Sequence, residues 1–298
     1  MEFDYSQLFP ICDFKFASNR FKMKNILILI ALFALSITSS AQTLKDTITQ
    51  TTKEKRKPLK IHHAEPLYLD LIRDLGARKG EKELNLGMGI DDYKEYISYS
   101  GFVEYEFAVA NRLGVEVEVP FKFYQDVGGV QTTAIPQNRI EGLKIATQYT
   151  FLVSEKYQTS MAVGYIQEFE FSSFSSIDHH GKFLEGTLYN PIFIVAKKWT
   201  PNVHTLLYAG PVFEQHFDTN NINTIGQVNA SFHYSFAGGN FIGLETNMEF
   251  MKNESTVTFR PQIKQKLSDG LYLGFVTGIP TEFKDKGVSF MTRIIWEP

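Results

Sequence analysis

The chain has 298 residues, 43% of them hydrophobic and 14% aromatic, and a formal charge of −3. With no long basic face, that balance excludes a nucleic-acid partner. A single cysteine, Cys12, excludes a disulfide framework and any multi-cysteine metal site.

The first recognisable element starts at Met23 with "MKNILILIALFALSITSSAQ". Lys24 gives it a positive start, Ile26 to Ile37 an apolar core, and Ser39 and Ala41 small residues before Gln42. This pattern is a secretory signal peptide over 23–41. Its apolar run falls short of the roughly 20 residues a transmembrane helix needs. Residues 1–22 then read as an upstream extension ahead of the true start. Cys12 lies in the part removed, which leaves a mature chain with no thiol for catalysis, lipid attachment or metal. Residues 42–60, "QTLKDTITQTTKEKRKPLK", are polar and without apolar periodicity, so they read as a flexible periplasmic tether.

The next stretch, over 61–82, predicts a short helix. Glu65 and Pro66 suit a helix start, and Leu67, Leu71 and Leu75 recur four apart beside Tyr68 and Ile72. Gly76 offers a C-terminal stop. A helix of about eleven residues spans roughly 16 Å and is marginal alone, so its stripe must dock. Glu65, Asp70, Arg73, Asp74, Arg78 and Lys79 are the polar residues a periplasmic plug or cap would present.

From residue 83 to 298 the period changes from 3.6 to 2. Val103, Tyr105, Phe107 and Val109 alternate with Glu104 and Glu106; Val115, Val117 and Val119 alternate with Glu116 and Glu118. About twelve such runs are predicted: 83–91, 97–110, 115–125, 139–152, 157–171, 186–199, 203–217, 224–236, 241–251, 255–267, 271–280 and 287–297. Most exceed the five or six residues usual in soluble sheets and match the tilted span of a membrane. Tight links ("NRLG", "VSEK", "TPN", "AGGN", "LSDG") alternate with long polar ones at 126–138 and 172–185. The expectation is an all-β, transmembrane, antiparallel up-and-down barrel with both termini in the periplasm of a Gram-negative cell. Aromatic residues near strand ends, among them Phe123, Tyr149, Phe151, Phe169, Phe171, Trp199, Tyr234, Phe236, Phe250 and Trp296, fit girdles against outer-membrane lipid. The facing of "TLYNPIFIVAKKW" is ambiguous.

The stretch His63 to Glu83 resembles the signature of the HAEPLYID family of outer-membrane proteins. The eight motif residues are His63, Ala64, Glu65, Pro66, Leu67, Tyr68, Leu69 and Asp70, with Leu69 where the family name has isoleucine. The resemblance is specific over His63 to about Gly89. It implies an outer-membrane location and no particular activity, ligand or catalytic residue.

Alternation points Glu104, Glu106, Glu116, Glu118, Glu168, Glu170, Glu245 and Glu249 into the lumen, together with Lys122, Lys144, Arg260, Lys264, Lys266 and Arg293. These either pair across strands as a structural network or line a path that orients a solute. The best reading is a narrow pore for passive passage of a small polar solute, restricted by the helix. The alternative is a closed barrel that binds a periplasmic protein. A third reading, a lipid hydrolase, rests on His233 and Ser235 sharing one strand face, since nucleophilic catalysis needs a base touching a hydroxyl. That face is the lumen, which counts against it. His179-His180, beside Asp178, has no third ligand at metal-binding spacing, His63 at the tether's end could help cap or dock the helix, and no phosphate or dinucleotide motif appears. No cofactor, metal or catalytic residue is expected.

Overall fold

The computed structural model describes residues 58–69, 71–127, 135–173, 183–219, 221–283 and 286–298. The signal peptide, the upstream extension, the tether before Pro58, Asp70 and the doublet His179-His180 lie outside the described residues.

The alternating sequence folds as one antiparallel meander. In order it comprises β1 (Lys82–Tyr93), β2 (Tyr96–Ala110), β3 (Leu113–Asp126) and β4 (Arg139–Ile140). Then come β5 (Gly142–Ser154), β6 (Thr159–Phe171), β7 (Leu184–Lys198), β8 (Val203–His216) and β9 (Ile222–Ser235). The last are β10 (Phe241–Phe250), β11 (Ser255–Ser268), β12 (Leu271–Pro280) and β13 (Lys286–Trp296). The two-residue β4 and β5 both pair with β3 and form one stave interrupted at Glu141, so the wall has twelve staves. The first strand pairs with the last, Leu84 opposite Trp296, which closes the barrel and leaves no free edge.

The period-2 pattern decides which face is which. Leu86, Met88, Val103, Tyr105, Val117 and Val119 are exposed on the outer surface, where a bilayer covers them. Their alternates Asn85, Glu104, Glu106 and Glu116 are buried inside. Tyr149, Phe151, Trp199, Tyr234, Phe236 and Trp296 ring the outside near the tight-turn end. Phe169, Phe171 and Phe250 are only half-buried on the opposite half.

The ambiguous strand is now assigned. In β7, Asn190, Ile192, Ile194 and Ala196 are buried and face inward, while Phe193 is exposed outward. Both faces are apolar there because the interior of β5 to β8 is an apolar wall: Ala146, Ala162, Ile192, Ile194, Ala196, Leu206 and Tyr208 cluster with Leu71, Ile72 and Leu75. One link departs from the expected division. The first hairpin turns at Lys94–Glu95 alone, although it lies at the long-loop end.

The predicted helix does not form. Among the described residues, the sole helical element is a three-residue 3-10 turn at Ala237–Gly239. Residues 58–69 and 71–81 run instead as bends, turns and irregular chain inside the barrel. The reason lies in where the backbone donors go. Ala64 N–H donates to His204 Nδ1 at 2.7 Å, Leu67 N–H to Gln262 Oε1 at 2.6 Å, Leu69 N–H to Glu245 Oε1 at 3.2 Å and Gly76 N–H to Thr150 Oγ1 at 3.0 Å. Wall side chains thus take the Leu69 and Gly76 donors, which an α-helix begun at Pro66 would give to its own carbonyls, and fix Ala64 and Leu67, whose donors such a helix leaves free. Gly76, at φ 84°, turns the chain back toward the mouth it entered by.

Candidate functional site

The N-terminal segment touches staves all round the wall, and its contacts define the site. On one side Leu71, Ile72 and Leu75 are each 2% exposed or less within the apolar wall. Full burial of such side chains stabilises docking by roughly 1.5–3 kcal/mol each. Opposite, Ala64 and Leu67 pack with Phe241, Val276 and Ile295. Glycines admit the segment closely. A Cβ at Gly114 would lie 2.4 Å from Arg73 Cβ, and one at Gly274 would lie 2.9 Å from Leu67 Cδ1.

A charged network faces the apolar wall. Arg73 Nη1 donates to Glu83 Oε2 at 2.7 Å and to Glu106 Oε2 at 3.3 Å. Arg293 Nη2 lies 2.6 Å from Glu104 Oε1 and 3.8 Å from Glu106 Oε1. Asn85 Nδ2 bridges Glu83, Glu104 and Glu106 at 2.8–3.0 Å. Lys144 Nζ stands 2.7 Å from Glu118, 3.0 Å from Glu116 and 4.0 Å from Glu104. The Gln148 amide donates to the Arg73 carbonyl. Buried charges persist only when paired and hydrogen-bonded in this way.

The structure therefore brings together Glu104, Glu106, Glu116, Glu118, Lys144, Arg293 and, from the segment, Arg73. Glu245 and Arg260 form a second cluster. Glu245 accepts from Leu69 N–H and from Asn247 at 2.6 Å; Arg260 donates to Asn247 at 2.6 Å and lies 3.3 Å from the centre of the Tyr68 ring. Lys122 pairs with Glu141 at 2.9 Å near the long-loop end, where Glu168 and Glu170 also stand. Glu249 accepts from Thr256 at 3.3 Å. Two expected lumen bases are not in these clusters. Lys264 sits over the Tyr272 ring, and Lys266 pairs with Asp269 at the tight-turn rim.

Asp74, Arg78 and Lys79 stand nearer the mouth. Asp74 pairs with Lys60 and Arg73, Arg78 Nε donates to the Pro58 carbonyl at 3.2 Å, and Lys79 is exposed. Lys60 also reaches Glu81 at 2.7 Å, which staples the two limbs of the loop together at the mouth. Glu65 is half-buried. Sequence reading missed Lys60, Glu83, Asn85, Gln148, His204 and Gln262. Glu83 and Asn85 could have been found, since they continue the inward alternation of "KELNLG".

The hydrolase geometry fails on position. His233 is fully buried and shares a hydrogen bond with Gln262 at 3.1 Å. The histidine–serine contact that does form, His63 Nε2 to Ser160 Oγ at 2.9 Å, lies where Ser160 is wholly inaccessible. It anchors the segment. Burial, reinforced by nearby His204, pushes His63 down to about 3 from an ordinary 6.5. The docked loop thus binds fewer protons than the free loop between those values. Docking is at full strength above pH 6.5 and weakens as pH falls toward 3, by at most about 1.4 kcal/mol per pH unit for this proton. Trypsin cleavage at Arg73, Arg78 and Lys79, expressed at each pH relative to cleavage of an unstructured peptide, should accordingly rise between pH 7.5 and 5.5, and His63→Gln should flatten the profile. A pH-independent wild type would refute the linkage.

Above the segment, toward the long-loop end, the lumen opens into a cavity of about 280 Å³, with Leu69 in its floor. A smaller one of about 160 Å³ adjoins it along Glu168, between Arg139, Glu141, Glu170, Glu185 and His216.

A closed twelve-stave barrel with an apolar outer belt and a polar interior is the fold of outer-membrane porins and channels. Similar solved structures include the KdgM porin, at 12% identity over 72% of this chain and 98% of that one, TM-score 0.51. The NanC porin aligns at 10% identity over 72% and 99%, TM-score 0.52. An outer membrane channel from Pseudomonas putida F1 aligns at 9% identity over 77% and 100%, TM-score 0.59. Identities this low carry the architecture alone. The family itself is given by sequence: the HAEPLYID-like model matches residues 59–297, and the chain belongs to that family. No curated protein matches it in sequence.

Proposed function

We propose that the protein is an outer-membrane pore for a small polar solute, with the N-terminal loop as a plug inserted from the periplasmic mouth. The supporting observation is that residues 58–81 fill one half of the lumen while the other half keeps a cavity facing the long loops. Tight turns and both strand termini share the plugged end, the end that is periplasmic in such barrels. Twelve staves enclose more space than wall side chains readily fill, and the loop takes up the surplus. The KdgM porin has been solved in complex with disordered oligogalacturonate, which agrees with passage of a small polar solute by a barrel of this architecture.

Single-channel conductance in planar bilayers tests the reading. The intact chain should conduct weakly or in rare events, and deletion of 61–80 should give large, persistent openings. Equal conductance with and without the loop would sink the plug. Silence from both folded proteins would mean a sealed barrel, with the loop mouth then the place to seek a periplasmic partner.

A further inference from the structure

We propose that the lumen cavity above the loop binds a small organic cation: an ammonium head on a short hydrocarbon body. This names the solute class for the pore proposed above and rests on that reading for passage, though not for binding. The first observation is carboxylate charge that stands outside any ion pair among the described residues. Every lysine and arginine along this part of the wall is committed: Lys144 to Glu116 and Glu118, Lys122 to Glu141 at 2.9 Å, Arg139 to Glu185 at 3.2 Å. Glu168, Glu170 and Glu214 have no such partner among the described residues, and Glu168 and Glu214 line the cavity.

The second observation is an open acceptor. Asn190, 3% exposed, lines the same cavity; its Nδ2 donates to Gln227 Oε1 at 3.2 Å while its Oδ1 has no hydrogen-bond partner. A buried carbonyl oxygen without a donor is costly unless something supplies one. Carboxylates and an amide oxygen are acceptors, so the complementary ligand is a donor with positive charge. Ile166, Leu188, Val212 and Ile225 give the cavity an apolar side, and the Lys144 ammonium, held by Glu116 and Glu118, also lines it. That apolar side suits a hydrocarbon body and gives an inorganic ion nothing.

Carboxylate spacing separates the organic cation from a metal. Among the described residues, only Glu104, Glu116 and Glu118 gather three acid oxygens within 4.8 Å of one another, and the Lys144 ammonium stands among them. Glu168 and Glu214 are not so gathered. Lys144 shows on the same wall how an ammonium on an alkyl chain is held.

The test is calorimetric titration of the full chain in detergent with butylammonium, against butyrate and butanol. Saturable binding of butylammonium alone is expected, with Glu168→Gln and Glu214→Gln each weakening it on the order of tenfold. Butyrate binding equally well, no butylammonium binding, or unchanged affinity in both variants would overturn the proposal. Should either variant fail to show folded-barrel electrophoretic mobility, Asn190→Ala takes its place with the same expected weakening. Binding is read without current, so the two readings fail separately. A barrel that binds butylammonium but never conducts loses the pore and keeps the site. One that conducts without binding loses the site alone.

Discussion

Arg73→Ala is expected to undock the loop while leaving the barrel closed. The guanidinium is 4% exposed and is the loop's ionic contact with Glu83 and Glu106. Removing it leaves the Glu83 carboxylate with the Asn85 amide in place of a cation, while Glu106 keeps Arg293 at 3.8 Å. Breaking one side of a buried ion pair costs about 3–5 kcal/mol, chiefly the penalty of the charge left behind. That is comparable with the burial of Leu71 and Leu75 together, so the docking equilibrium constant should fall by roughly two orders of magnitude or more. Conductance in planar bilayers should approach that of the deletion of 61–80, and the strand-rich circular dichroism should persist. Adding Glu83→Gln removes the stranded charge and should restore part of the docking. Unchanged conductance in Arg73→Ala would show that apolar contacts hold the loop unaided.

A substitution on the wall should reach the same end without touching the loop. Gly114 lies on β3 where Arg73 passes, and even a Cβ there would sit 2.4 Å from Arg73 Cβ. The contact is with the root of the side chain, so rotation of Arg73 cannot relieve it. Gly114→Leu adds several more carbons at that point. Overpacking in a filled interior costs typically about 1–3 kcal/mol and more where backbone must move. The expected result is enhanced conductance and rapid trypsin cleavage after Arg73, with the barrel intact. Tight, protease-resistant closure in Gly114→Leu would mean that the loop can shift along the lumen, and that its fit to Gly114 is incidental.

These two residues also show what the sequence could tell. The strands were legible because a bilayer outside and water inside impose opposite chemistry on alternate residues; Glu104 and Glu106 between Val103, Tyr105 and Phe107 leave no other facing. Where the inside was not wet, the signal vanished. Ile192, Ile194 and Ala196 face Leu71, Ile72 and Leu75, which gave β7 two apolar faces and an undecidable orientation. The same burial disguised the loop. Leu67, Leu71 and Leu75 recur at helical spacing, but two different walls receive them: Leu67 joins Phe241 and Ile295, while Leu71 and Leu75 join Ile194 and Leu206. Periodicity reports that residues are buried, not that they share a side. Partners such as Gln262, His204 and Thr150, which accept the loop's backbone donors, lie between 74 and 195 residues away along the chain and carry no local mark. Within the candidate site, Glu104, Glu106, Glu116, Glu118, Lys144 and Arg293 were named by alternation. Glu214 follows the same rule in β8, but Glu141 falls in the break between β4 and β5, where alternation is interrupted.

The Lys60 contact with Glu81 places both limbs of the loop at one mouth, and Glu81 adjoins the first residue of β1. Release therefore never sets the loop free in solution. It remains leashed by a residue or two to the wall it left, at a local concentration fixed by the leash and unaffected by dilution. If the loop acts as the proposed plug, opening and closing are unimolecular steps, and the fraction of barrels open would be the same in a single copy as in a crowded membrane. A separate stopper subunit in the same seat would be lost on dilution; this one always returns.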